Sequence, residues 1–287
     1  MKYPQNKLLS NKYIIKKLTE FWEEDLPNGD ITTNSIIDDK KYIIAKIITV
    51  EKLVFAGEQI VPHCFTDTCK INLNIKDGNT IKSDTLIGTI KGPANIILSR
   101  ERVMLNLLQR LCGIATLSKK YSSIAKPYNI KILDTRKTTP GIRLFEKYAV
   151  SVGGSFNHRS DLSSGILIKD NHLISAGSVK KAINMIKKTN TNLPIELEVD
   201  TIEQIHQALA MGVDGFLLDN MSSNKIKEAV SIIRNSNNGK NIFIEASGGI
   251  NLENISSYVK TGIDAISIGA LTHQARSKDI RLEFSQI

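Results

Sequence analysis

Aromatic side chains are scarce in this sequence of 287 residues, where Phe, Trp and Tyr together make up 6%. A single-stranded nucleic-acid binder needs stacking platforms interleaved with a dense basic stripe. The net charge of +9 therefore does not by itself argue for a nucleic-acid partner. Most of the excess fits lysines scattered over outer helix faces; steering of small polyanionic substrates is the other use of such charge. Cysteine is almost as rare. Cys64, Cys69 and Cys112 are odd in number and form no CxxC pair. That argues against a disulfide framework or a zinc site and suits a reducing compartment. Long apolar runs are missing: the most apolar stretch, Tyr42 to Ala56, is interrupted by Lys46, Glu51 and Lys52, so no segment is expected to span a membrane. The start, MKYPQNKLLSNK, has no apolar h-region, so no signal peptide is expected and a cytoplasmic location follows. HExxH, GxSxG, Walker A and GxGxxG are all absent, which argues against the chemistries those patterns serve, nicotinamide-cofactor chemistry included.

What is present is long enough for one barrel-sized domain and a smaller one. Lys7 to Glu24 carries Leu8, Ile15, Leu18 and Trp22 at helical spacing, and Pro27, Asn28 and Gly29 stop that helix. Asp30, Thr32 and Thr33 follow in GDITT. Tyr42 to Val54 is β-rich, Gly57 to Phe65 reads as a short helix, and INLNI from Ile71 to Ile75 alternates as a strand. Asp77–Gly78 is a hairpin signal, Thr85 to Ile90 gives a further strand, and Gly92–Pro93 breaks the chain. Residues from about 28 to 93 thus form an α+β layer. Asn95 to Leu111 is strongly helical, with Arg102 and Asn106 on one face.

From Lys131 the rhythm changes. Short apolar runs (Ile132–Asp134, Gly165–Lys169, Ile195–Asp200, Gly215–Asp219, Ile242–Glu245, Ala265–Gly269) alternate with amphipathic helices, the pattern of a parallel sheet buried on both faces. A seventh run is possible near Val150 to Phe156. An open doubly wound sheet and a closed barrel both fit. The barrel is favoured because Arg136, Lys169, Glu198, Asp219 and Ser247 end successive runs and would ring one mouth.

The stretch Asp134 to His172 concentrates the charge. Arg136, Lys137, Arg143, Lys147, His158, Arg159, Lys169 and His172 fall within it, several directly after apolar runs. A solvated surface is one reading; an anion-binding mouth fits the placement better. Glu196, Glu198 and Asp200 share one strand face, which is costly inside a barrel unless cations or a metal answer them. Lys137 and Lys169 are the obvious partners, and a purely structural ion-pair network is the alternative. Glu198 with Asp219 could bind a divalent ion through oxygen. Ser247–Gly248–Gly249 precedes a helix that Asn251 could cap, so backbone N–H groups there could approach a phosphate. Gly269–Ala270 ends the next run in the same way.

The segments DTRKTTPGIR, GGSFNHR and GILIKDNH resemble signature segments of the quinolinate phosphoribosyltransferases. ERVMLNLLQRLCGIAT before them, and IFIEASGGI and AISIGALTH after them, are similar in order and kind. The likeness runs from about Asn28 nearly to the C-terminus. It implies an α/β fold: an incomplete parallel (β/α) barrel of six to seven strands with an N-terminal α+β sandwich domain. The implied domains are 1–115, 116–272 and a segment 273–287 that returns to the N-terminal domain. It implies phosphoribosyl transfer from 5-phosphoribosyl 1-diphosphate to quinolinate with decarboxylation, giving nicotinate mononucleotide, diphosphate and CO₂, with Mg²⁺ as cofactor. Arg102, Thr135, Arg136, Lys137, His158, Arg159 and Lys169 carry over onto quinolinate. Lys137, Glu198, Asp219, Ser247, Gly248, Gly249, Gly269, Ala270 and His273 carry over onto the ribosyl diphosphate, with Glu198 and Asp219 toward Mg²⁺. Lys137, Lys169, Glu198 and Asp219 carry over as the catalytic group, and no single general base is assigned. The resemblance also implies a homodimer in which Arg102 completes the neighbour's site, with neither nucleic acid nor membrane as partner. A same-fold relative of the molybdenum-transport-associated type, or a non-catalytic regulator that binds the ribosyl diphosphate, is the alternative.

Overall fold

A computed structural model describes residues 3–38, 40–189 and 191–286. The chain divides into two compact units. One comprises the residues up to Gln5 with Lys120–Lys137 and Ser155–Ala270; the other comprises Asn6–Lys119, Thr138–Gly154 and Leu271–Ile287. This division runs differently from 1–115, 116–272 and 273–287. Thr138–Gly154 leaves the barrel unit, and the helix Ala94–Ala125 runs straight through the expected boundary at 115.

The strands in chain order are β1 (Tyr42–Thr49), β2 (Leu53–Val54), β3 (Lys70–Leu73), β4 (Thr80–Ile81), β5 (Leu86–Pro93), β6 (Lys131–Leu133), β7 (Ile166–Ile168), β8 (Ile195–Val199), β9 (Gly215–Asp219), β10 (Phe243–Ser247), β11 (Ala265–Ser267) and β12 (Ile280–Gln286).

In the unit that holds β1, an antiparallel sheet runs β12-β1-β5-β3. β1 alternates as its sequence does, burying Ile43, Ala45 and Ile47 on one face. The last strand pairs Ile280 with Thr49. Three local expectations change. The helix predicted from Lys7 starts later, at Asn11, because Ser10 caps it; it buries Ile14 and Leu18, leaving Leu8 83% and Ile15 50% exposed. The turn at Asp77–Gly78 does not join β3 to β4 as a hairpin: β4 pairs with β2, and β3 with β5. Gly92–Pro93 does not break the chain but ends β5, and the helix from Ala94 follows directly. In GDITT, Asp30 caps the helix Ile31–Ile36, its carboxylate accepting from Thr33 N–H at 2.9 Å and Thr33 Oγ1 at 2.5 Å.

The other unit is built on a parallel sheet ordered β6-β11-β10-β9-β8-β7. From β7 to β11 each strand lies beside its successor, and β6 lies beside the last of them. A doubly wound sheet would reverse direction at a switch point. This order never reverses, which is the winding of a (β/α) barrel left open between β6 and β7 among the described residues. The possible seventh strand near Val150 to Phe156 does not form, so the sheet has six strands among the described residues. The helix Arg143–Val152 takes the first three residues of that segment, and Phe156 makes a single parallel bridge, to Leu133. The helices Val179–Lys187, Ile202–Leu209 and Ser223–Arg234 are capped by Ser178, Thr201 and Ser222, so each turns into its helix soon after a strand or loop ends. No helix among the described residues is long and apolar enough to cross a membrane.

Candidate active site

The charged groups of the barrel unit gather where its parallel strands end. The DTRK and NHR segments interlock there through Asp134, which follows β6 and is fully buried. Its carboxylate accepts the His158 N–H at 2.8 Å and Asn157 Nδ2–H at 2.7 Å. A buried carboxylate that accepts such bonds is held in place by them. The Asn157 main chain is bound from the other side by Gln5, which accepts its N–H at 2.9 Å and donates to its carbonyl at 3.1 Å.

Arg136 follows Asp134 by two residues, and Arg159 ends NHR. Arg159 is 95% buried, donating through Nη1 to Gly165 O at 3.0 Å. Burial first, and then the Arg136 guanidinium beside it, draw Arg159 below the ordinary arginine value. Two guanidiniums held near enough to repel are a site prepared for anions. Thr135 is half-buried, and its Oγ1 accepts the Lys137 N–H at 3.0 Å, shaping the turn that carries the exposed Lys137. Lys169 follows β7. Its N–H donates to His172 Nδ1 at 2.9 Å, which starts the helix Asp170–Ala176, and its ammonium lies 2.7 Å from Glu198 Oε2. Asp219 ends β9. Burial raises its carboxyl above the usual range, while Lys169, a hydrogen bond from Asn220 and Lys137 pull it back.

The acids Glu196, Glu198 and Asp200 part company. Glu196 is fully buried and faces His158 and Tyr3; Glu198 is half-buried and pairs with Lys169; Asp200 lies beyond the strand and is exposed. Lys137 and Lys169 are therefore not common partners of all three, because successive inward positions on a strand differ in depth by about 7 Å.

Ser247 ends β10 and its carbonyl accepts the Asn220 N–H at 2.9 Å. Gly248 has φ +89°, and a Cβ there would collide with the Asn220 side chain; Gly249 has φ +62° and faces open space. Only glycine serves at the first of these. Asn251 caps the following turn by accepting from Glu253 and Asn254 N–H, but the helix itself, Ile255–Tyr258, is a single turn. Phosphate binding here would draw on exposed backbone N–H groups and not on a helix dipole. Gly269 and Ala270 follow β11 and are half-buried. Arg102 and His273 belong to the other unit, both exposed. Arg102 lines a cavity of about 270 Å³ there with Phe21, Glu24, Asp25, Asn106 and Arg110.

Sequence reasoning missed what lies under the mouth. His158, Glu196 and Glu245 are buried together, with ligand atoms within 4.8 Å of one another. Burial first, and then the facing Glu196, push the Glu245 carboxyl up to about 7; His158 and a hydrogen bond from Ser267 pull the other way. A folded state that prefers the protonated carboxyl loses stability as pH rises from the ordinary carboxyl range through about 7. Glu245→Gln should therefore match the parent protein near about pH 5 and exceed it in urea unfolding above about pH 8. An equal response at both pH values would mean that Glu245 is charged throughout. No spacing rule could have flagged Glu245, which reads as one polar position in an apolar strand.

An open α/β barrel with cationic and carboxylate side chains at its strand ends defines a class, the barrel enzymes that act on anionic substrates. Comparison with known proteins narrows that class. Residues 30–112 match the N-terminal domain of quinolinate phosphoribosyl transferase, and residues 114–283 match its C-terminal domain. A probable nicotinate-nucleotide pyrophosphorylase [carboxylating] of Bacillus subtilis is 39% identical over 272 residues, 93% of this chain and 92% of that protein. The nicotinate-nucleotide pyrophosphorylase [carboxylating] of Mycobacterium leprae is 37% identical over 266 residues, 91% of this chain and 93% of that one. The solved structure of the Francisella tularensis nicotinate-nucleotide pyrophosphorylase superposes with a TM-score of 0.91 at 35% identity, covering 99% of this chain and 100% of that one. The chain belongs to the quinolinate phosphoribosyltransferase family.

Proposed function

We propose that this protein transfers the phosphoribosyl group of 5-phosphoribosyl 1-diphosphate to quinolinate with loss of CO₂, giving nicotinate mononucleotide and diphosphate. The observation that carries this reading is the nearly buried Arg159 guanidinium, with the Arg136 guanidinium near enough to depress it, in a barrel that matches the family. Planar guanidiniums match carboxylates two bonds at a time, so a ring dicarboxylate is the complementary ligand. The pyridine nitrogen attacks C1 of the ribose as diphosphate leaves. Glu198 and Asp219 face the cationic sugar of that transition state, while Lys137 and Lys169 face the departing charge. The ring then loses its 2-carboxylate as CO₂, and the electron pair left on carbon is stabilised by the adjacent pyridinium nitrogen before protonation. Ser247, Gly248, Gly249, Gly269 and Ala270 are assigned to the phosphate side of the ribosyl diphosphate. The test is release of labelled CO₂ from carboxyl-labelled quinolinate. It should require the ribosyl diphosphate; no release with both substrates present overturns the reading.

Glu198 and Asp219 would hold Mg²⁺. Both offer oxygen, the donor that ion prefers, and they lie on paired parallel strands. When bound, the ion would neutralise diphosphate charge. Asp219→Asn should weaken Mg²⁺-dependent binding of the ribosyl diphosphate and spare quinolinate binding in calorimetry; intact Mg²⁺ dependence would make Asp219 a structural residue. The protein is proposed to act as a homodimer with Arg102 completing the neighbour's quinolinate site, supported by the exposure of Arg102 on the helix Ala94–Ala125. A cytoplasmic location is proposed from the free thiols of Cys64, Cys69 and Cys112.

A further inference from the structure

His158 is 95% buried, and both of its ring nitrogens face protein. Nδ1 accepts the N–H of Arg159 at 2.7 Å. Nε2 lies 3.5 Å from Glu196 Oε2 and 3.7 Å from Glu245 Oε2. A nitrogen that accepts a backbone N–H cannot carry a proton itself, so the ring proton sits on Nε2, which faces the Glu196 carboxylate and the Glu245 carboxyl. The Tyr3 ring closes one face of the imidazole, stacked with centroids 4.6 Å apart and planes at 27°. Tyr3 Oη donates to Glu196 Oε2 at 3.1 Å, and Ser267 Oγ donates to Glu245 Oε1.

We propose that His158 is a positioning residue and not a ligand of the dicarboxylate. Locked as its Nε2–H tautomer between the Arg159 amide and the buried Glu196–Glu245 pair, it fixes the peptide that aims the Arg159 guanidinium. The rest of that peptide is pinned to match. Asp134 takes the His158 N–H, Gln5 brackets Asn157, and Gly165 O takes Arg159 Nη1. A guanidinium whose backbone is fixed on this many sides loses little freedom when it binds an anion. The two glutamates are then the counterweight that keeps the ring from turning. Glu196, Glu245, Tyr3 and Asp134 join the functional residues as supports of that peptide.

The inference rests on the reading that Arg159 takes a quinolinate carboxylate, so its test has an arm that needs no substrate. In the intact protein labelled with ¹⁵N-histidine, one histidine, removed from the spectrum by His158→Asn, should hold an unprotonated Nδ1 and a protonated Nε2 from about pH 6 to pH 8. It should keep that tautomer when quinolinate is added. A protonated Nδ1, or a change of tautomer on adding quinolinate, overturns the proposal.

The second arm compares two replacements, both carrying Glu245→Gln so that an amide faces Glu196. In His158→Asn the amide oxygen replaces Nδ1 as acceptor of the Arg159 N–H; in His158→Leu nothing does. Quinolinate affinity should stay within about threefold in the first and fall about tenfold or more in the second, with ribosyl diphosphate affinity kept in both. Equal loss in both variants, or loss in neither, overturns the proposal. Arg159→Ala serves as the control: if it leaves quinolinate affinity intact while the tautomer is as stated, the substrate reading fails and the positioning of Arg159 stands.

Discussion

Arg159→Ala, and separately Arg136→Ala, should abolish turnover and weaken quinolinate binding by ~2–5 kcal/mol, the loss that follows when one partner of a desolvated charge pair is removed. Arg159 carries the larger expectation because it is almost fully buried and is already held below the ordinary arginine value by burial and by Arg136. Two guanidiniums in that relation repel each other until a dianion arrives, so each replacement removes part of a matched pair and also relieves some repulsion. Affinity for the ribosyl diphosphate should change far less, since its phosphates are assigned to Ser247–Gly249 and Gly269–Ala270. Calorimetric titration with each substrate separates the effects, and unchanged quinolinate affinity in both variants would sink the clamp. Lys169 is expected to behave differently. Its ammonium is tied to Glu198 at 2.7 Å, so Lys169→Ala also frees a carboxylate beside the reacting sugar and should disturb both substrates.

Mixing two inactive proteins should restore activity. Arg102→Ala removes a group on the helix Ala94–Ala125, and Lys169→Ala removes one at a strand end of the barrel. If each active site of the proposed dimer draws Arg102 from the neighbouring subunit, a mixed dimer holds one site with both defects and one with neither. Activity then rises toward one working site per mixed dimer once subunits exchange. Were Arg102 an ordinary exposed cation, its loss would cost under ~0.5 kcal/mol and leave activity intact, so the single variant would already be active. An inactive single variant, with exchange seen by mass spectrometry and no recovery on mixing, would mean that Arg102 serves its own subunit. The acids Glu24 and Asp25 line the same cavity as Arg102.

Much of the barrel could be read from the chain. Phe216, Leu217 and Leu218 are buried as an uninterrupted apolar run, which is how a strand covered on both faces must read. Capped helices between such runs leave few other arrangements, and family resemblance in the DTRK, NHR and KDNH segments narrowed them to one. The possible seventh strand lay at a place where the local signal was weak, and it did not form. Val150 lies in an apolar helix face as naturally as in a strand, and only contact with Leu133 leaves a bridge at Phe156. Asp77–Gly78 misled for a similar reason. Its turn is real, with Gly78 at φ +81°, yet Asp77 accepts from Gly57 and Glu58 N–H and from Tyr148 Oη, so long-range bonds set where the chain goes next.

The alternation of strands and helices, and the residue types that end each strand, are legible in the chain, because period and turn chemistry are local properties. So is the placement of Glu196 and Glu198 on one strand face, since side chains alternate. That Glu196 is sealed against His158 and Tyr3 while Glu198 meets Lys169 at the mouth follows from packing alone. Depth along a strand depends on which other segments cover it. Tyr3 reaches Glu196 across 193 residues of chain and Glu245 meets Ser267 across 22, and no periodicity in the sequence spans either separation.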